Sequence, residues 1–186
     1  CSRDDLSTKL RKELKSLPVV HISNPKTQEF QVVRTTLLPG ILQTVCNNKS
    51  MPLPLKIFEI QDVVLKDAKR EVGCRNERRL CAVYYGKTSG FEVVHGLLDR
   101  VMEMLEVSDV PCSGAEAVPS SRRSNQSYRI EASSDPTFFD GRCAKVVIEP
   151  GNQVIGTFGT LHPEVIKHFD LTMPCSALEI NIEPFL

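Results

Sequence analysis

The sequence lacks any stretch approaching the ~18 uninterrupted apolar residues of a membrane helix. Its best uncharged run, Thr35 to Asn48, contains Pro39 and Gly40 and ends in two asparagines. It also lacks net charge, because 23 Lys and Arg balance 23 Asp and Glu. A strongly basic nucleic-acid binder is therefore not expected, since no large field gathers phosphates. A local basic patch survives that test. The opening Cys1-Ser2-Arg3-Asp4-Asp5 has no signal-peptide character. Without an initial Met, the chain is expected to be a piece of something longer, and to be cytoplasmic.

Catalytic and metal motifs are missing too. Seven cysteines, at positions 1, 46, 74, 81, 112, 143 and 175, form no C-x-x-C pair, so no metal ligand is assigned. Runs such as Arg79-Leu80-Cys81-Ala82-Val83 predict buried thiols acting as small hydrophobes. There is no G-x-S-x-G elbow and no G-x-x-x-x-G-K-[ST] loop. Gly156-Thr157-Phe158-Gly159 reads instead as a strand whose glycines admit a close backbone. His162 reads as a helix-start residue. No catalytic residue can be named from these patterns.

What is present is ordinary globular material: 41% apolar and 25% charged residues in 20.8 kDa. That mass buries roughly 70% of the unfolded surface, enough for one domain over residues 1–186 without staples. Leu6, Leu10, Leu14 and Leu17 predict a helix capped by Asp5 or Ser7 and stopped by Pro18. Val19–Ile22 predicts a short strand. Leu37, Leu38, Ile41, Leu42 and Val45 form a broad apolar helical face, with Pro39 in its first turn and Thr35 or Thr36 as cap. The plain reading is a core helix. The sharper one, prompted by Gly40, is a helix packed on a partner chain.

Met51-Pro52-Leu53-Pro54 is a connector. Leu55–Leu65 reads as a strand covered on both faces, then a charged turn over 66–79, then a strand over Leu80–Tyr85. Phe91, Val94, Leu97, Leu98, Val101, Met102 and Leu105 predict a second helix, with His95 and Asp99 paired at i, i+4. Residues 112–127 lack large apolar side chains and are expected to form a mobile loop. Arg122 and Arg123 on it are weak nucleic-acid candidates. Strands are expected at Tyr128–Ala132, Ala144–Glu149 and Val154–Gly159, and Asp140-Gly141-Arg142 as a tight turn between strands. Arg142 is the residue best suited to hold a carboxylate or phosphate, an internal ion pair being the simpler assignment. A short helix opened by Pro163 and a terminal strand over Cys175–Ile182 follow. The fold class is α+β, a mainly antiparallel sheet flanked by helices.

Several ordered strings go further. They are Arg34-Thr35-Thr36-Leu37-Leu38-Pro39-Gly40-Ile41-Leu42, Met51-Pro52-Leu53-Pro54-Leu55-Lys56-Ile57-Phe58-Glu59-Ile60, and Gly90-Phe91-Glu92-Val93-Val94-His95-Gly96-Leu97-Leu98-Asp99-Arg100. Phe138-Phe139-Asp140-Gly141-Arg142-Cys143-Ala144, Gly159-Thr160-Leu161-His162-Pro163-Glu164-Val165 and Leu171-Thr172-Met173-Pro174-Cys175-Ser176-Ala177-Leu178-Glu179-Ile180 complete the set. Together they resemble the carboxy-terminal, catalytic-like module of the β subunit of phenylalanine–tRNA ligase, eukaryotic cytosolic type. The resemblance implies a class II aminoacyl-tRNA synthetase-like sheet that has lost its chemistry. Family catalytic domains hold the ATP α-phosphate with an Arg just before the acidic residue of their second motif. Here Phe58 is followed directly by Glu59, and no Arg follows Cys143.

The resemblance further implies an α2β2 assembly in which the catalytic α subunit is the partner. tRNA(Phe) would be engaged through the complex, and ATP and Mg would act there, with no cofactor in this segment. It places the interface on Leu37, Leu38, Ile41, Leu42 and Val45. A stand-alone ligase remnant and a tRNA-binding module using the 122–129 loop are the competing functional classes.

Overall fold

The computed structural model describes residues 1–109 and 126–186. Its first element, α1 (Arg3–Leu6), is a single turn capped by Ser2, whose hydroxyl accepts from the Asp5 N–H at 3.1 Å. The Asp5 carboxylate accepts from the Ser2 N–H in return, closing a capping box. The long helix expected over Leu6–Leu17 does not form. Leu6 packs with Val19 and Val32, whereas Leu10 joins a different cluster beneath the main sheet. The chain does not run straight between them: α1 ends at Leu6, with Ser7 outside helical geometry at φ −109° and ψ −87°, and the backbone turns again at Arg11, in the left-handed region with φ 58°. Several contacts fasten the broken segment to the rest of the fold. Lys12 pairs with Asp135 at 2.8 Å, Arg11 with Glu164 at 2.7 Å, and the buried Thr137 hydroxyl donates to the Leu10 carbonyl at 3.0 Å. The expected strand Val19–Ile22 reduces to one bridge, His21 to Val32.

Helix α2 (Leu38–Asn47) carries Pro39 in its first turn, as expected. The long hairpin β1 (Leu55–Lys66) and β2 (Cys74–Tyr85) follows, then α3 (Phe91–Met104) and β3 (Ser108–Asp109). Strands β4 (Ser127–Ala132), β5 (Phe138–Glu149) and β6 (Gln153–Leu161) lead to α4 (Pro163–His168) and β7 (Cys175–Asn181). The His162 ring caps α4, its Nδ1 accepting from the Glu164 N–H at 3.2 Å. Asp140-Gly141-Arg142 lies inside β5, so it is no turn between strands. Of the expected 112–127 loop only 126 and 127 fall within the described residues, and Ser127 already opens β4.

The described strands form one sheet in the order β1-β2-β7-β6-β5-β4-β3. Every pairing is antiparallel except β3 with β4. The α+β class and the mainly antiparallel sheet are as expected. Alternation sorts the side chains of β2 to two faces. Cys81, Val83 and Tyr85 join Leu42, Val45 and Val165 beneath α2 and α4. Leu80 and Ala82 join Val94, Leu98 and Met102 of α3 on the opposite face. Gly156 and Gly159 lie where a Cβ would sit 2.1 Å from the Glu179 carbonyl and 2.3 Å from that of Arg142. The close backbone approach expected of these glycines is therefore present.

Candidate functional site

The strongest departure from sequence expectation is also the most chemical part of the molecule. The charged stretch 66–79 is not one turn: β2 begins at Cys74, so Arg75, Glu77 and Arg79 alternate onto a single face of the sheet. That is the α2 face, since Cys81 continues the same alternation. They open into a cavity of about 520 Å3, lined also by Thr36, Glu179 and Asn181.

The charges in this cavity satisfy one another. Arg79 pairs with Glu179 at 2.9 Å and with Glu77 at 2.8 Å, while Arg75 reaches Glu77 at 2.7 Å. The Glu179 carboxylate also accepts from the Thr36 hydroxyl and, at 3.2 Å, from the Leu37 N–H. It therefore supplies negative charge at the start of α2, where the helix dipole favours it. The N-cap position is Leu37 and not Thr35 or Thr36 as expected, but the Thr36 hydroxyl accepts from the Leu38 N–H at 3.3 Å and so joins Glu179 in satisfying the first turn. Burial works against the Arg79 charge, but Glu179 and Glu77 outweigh it and hold its pKa above the ordinary value. No buried side-chain nitrogen or oxygen among the described residues lacks a partner.

This arrangement is a closed electrostatic unit. A phosphate entering the cavity would have to displace a carboxylate from each guanidinium, and an unpaired buried carboxylate would result. Sequence reasoning missed the unit because Glu77-Arg78-Arg79 reads as solvated charge. The signal was the alternation Arg75, Glu77, Arg79 at period 2.

The five residues assigned to a partner interface lie elsewhere than at a surface. Leu37, Leu38, Ile41, Leu42 and Val45 are each at most 5% exposed, packed within this chain. The core-helix reading describes this face, and it presents nothing free to a second protein. Gly40, which suggested close approach, is exposed with no atom within 4 Å of where its Cβ would stand.

Strand β1, by contrast, does expose apolar side chains. Phe58 is 70% and Ile60 44% exposed, so β1 is not covered on both faces as expected. The reason is topological: β1 is the sheet edge, and α3 packs on β2, β6 and β7. Glu59, the acidic residue after Phe58, pairs with Arg34 at 2.9 Å.

Arg142 is exposed on β5, at the rim of a separate groove, and makes no internal ion pair among the described residues. Arg122 and Arg123 lie outside the described residues. Arg129, the cation nearest to them that is described, is held by Glu131 and Glu149. His95 approaches Asp99 at 3.6 Å, and Asp99 accepts the Tyr128 hydroxyl at 2.9 Å. The His95 ring stacks on Phe158 at 5.4 Å, which gives it a packing role.

Cys81, Cys143 and Cys175 are buried free thiols. Burial raises all three, Cys143 to about 11, so they remain protonated near neutrality. No group of three potential metal ligands occurs among the described residues. None of the described helices is long and apolar enough to cross a membrane.

A helix-flanked antiparallel sheet with a self-neutralised cavity defines a class of module whose cavity, among the described residues, holds its arginines in ion pairs with carboxylates. The family model of the phenylalanyl tRNA synthetase beta chain CLM domain matches residues 1–182, and the chain belongs to that family. It is 55% identical to the phenylalanine–tRNA ligase beta subunit of Mus musculus, over all of this chain and 29% of that protein. Identity to the beta subunit of Drosophila melanogaster is 56%, over all of this chain and 30% of that protein. The beta subunit of Arabidopsis thaliana, described as cytoplasmic, is 40% identical over the whole chain and 30% of its own length. The chain thus spans under a third of these relatives. The carboxy-terminal placement does not carry over, since the matches fix a share of each relative and not an end.

Proposed function

We propose that this chain is a non-catalytic structural and assembly module of a phenylalanine–tRNA ligase beta subunit, with a class II synthetase-like fold. It supports ATP-dependent attachment of phenylalanine to tRNA(Phe) by packing on a catalytic alpha subunit in a cytoplasmic α2β2 complex. ATP and Mg2+ act on the alpha subunit, and tRNA(Phe) is engaged through the whole assembly.

The observation that carries this reading is the closure of the Arg75–Glu77–Arg79–Glu179 unit. Adenylation needs cations free to meet a triphosphate. Here both cavity guanidiniums are already bound by carboxylates. What the module offers is a rigid, internally satisfied sheet, suited to support a neighbour.

The test is reconstitution of the intact beta subunit with its alpha subunit, followed by phenylalanine-dependent pyrophosphate exchange. Arg79→Met in the beta subunit should leave the exchange rate per assembled complex unchanged within twofold. A loss of exchange with assembly intact would place chemistry in this cavity and end the proposal. Failure of wild-type subunits to co-elute would end the assembly reading.

A further inference from the structure

Strands β5 and β6 pair normally except at one place. Phe138 faces Leu161 and Cys143 faces Gly159, so residues 139–142 stand opposite Thr160 alone. The surplus is accommodated by a bulge in which Gly141 takes φ +69°. Bulges re-aim side chains, and they concentrate beside functional sites. This one sets Phe139 and Arg142 at the rim of a groove of about 580 Å3, within the range of ligand-binding pockets.

The groove wall is apolar. Leu161 and Leu171 are buried in it, Ile166 of α4 is partly buried, and Met173 and Phe139 are 36% and 46% exposed. Phe139 is steadied by the His162 ring, with centroids 6.3 Å apart. Arg142 is the cation of this groove and has no carboxylate partner among the described residues. Glu164, next in sequence to the lining residue Pro163, is engaged by Arg11. A planar guanidinium meets a carboxylate or a phosphate, and the apolar trough beside Arg142 favours an anion flanked by a large apolar side chain, which in an unmodified polypeptide is a carboxylate.

We propose that this groove docks a short segment of a partner polypeptide that carries Asp or Glu next to Leu, Ile, Phe or Met. The carboxylate meets Arg142 and the apolar side chain lies between Phe139 and Met173. This goes beyond the assembly role, because it names a separate surface and the sequence chemistry that fits it.

The probe is a phage-displayed random heptapeptide library, panned against the intact protein carrying this chain. Arg142→Gln and Phe139→Ala serve as parallel targets. Both side chains are exposed, so neither change empties the core. Selection on the wild type should enrich an acidic residue within two positions of a large apolar one. A synthetic peptide of that consensus should bind about tenfold or more weakly to Arg142→Gln, and equally so when its acid is changed to the amide. The proposal is overturned if no consensus emerges, if the enriched peptides lack an acidic residue, or if both variants select the same peptides. A groove that meets nucleic acid or a second copy of the chain gives one of those overturning results.

Discussion

The two faces of the central sheet are held by different physics. Beneath α3, Leu80, Ala82, Val146, Phe158, Leu178 and Ile180 meet Val94, Leu98 and Met102 in a buried apolar layer. Beneath α2 and the amino-terminal segment, an apolar half gives way to the ion-paired cavity around Arg79 and Glu179. Burial on the first face stabilises by area and is indifferent to partner identity. On the second face each charge depends on a particular neighbour, so single deletions there leave an opposite charge uncompensated. The comparison shows why a sheet can keep buried charge without a visible reaction: the charges position α2 and the strands around it.

The largest expected effect is on the charged face. Glu179→Ala removes a partner of Arg79 and the acceptor at the start of α2, and should cost about 3 kcal/mol. Its urea midpoint should fall about as far as that of Leu98→Ala, which empties the opposite, fully buried core for about 2–5 kcal/mol. A much smaller loss at Glu179 than at Leu98 would break the comparison. Gly90→Ala comes next. Gly90 stands at φ +64°, and a Cβ there would lie 2.1 Å from the Tyr84 ring, so a loss of about 2 kcal/mol is expected in thermal denaturation.

A smaller effect separates the faces by pH. Burial opposes ionisation of Asp135, but Lys12 and the Thr137 hydrogen bonds outweigh it and hold its pKa below 3.8; Asp5 is likewise held low, against burial, by Lys9 and Ser2. A depressed carboxylate contributes stability above its unfolded pKa and loses it as pH falls through the folded value. Amide exchange of the amino-terminal segment should therefore accelerate below about pH 3.8, before that of α3. Simultaneous loosening of both would contradict this. The smallest change is a gain: Gly40→Ala, exposed and unobstructed in α2, should stabilise by about 0.5 kcal/mol.

Much of the scaffold was legible because it rests on local periodicity. The apolar spacing of α3, the Pro39 and Pro163 helix starts, and the alternating runs of β4, β6 and β7 all persist close to their expected bounds. The amino-terminal helix failed for a tertiary reason, since Leu6 and Leu10 serve different clusters. The cavity was missed because charge read along a chain is taken as solvated, whereas Arg79 and Glu179 meet across strands 100 residues apart in sequence. The residues assigned to an interface are buried within this chain, because an apolar helical stripe looks the same in sequence whether it meets its own sheet or another protein.

By itself, the sequence determined the α+β class, the positions of most helices and strands, and the ordered strings that mark the family. Those depend on neighbours a few residues away, where propensity and periodicity act. Only the tertiary structure decided that the α2 stripe is core, that Phe58 is open at the sheet edge, that the cavity arginines are already paired, and that a bulge turns Arg142 toward a groove. Each of these depends on which distant strand lies alongside, and strand order is set by the collective burial of both sheet faces, which no single segment encodes.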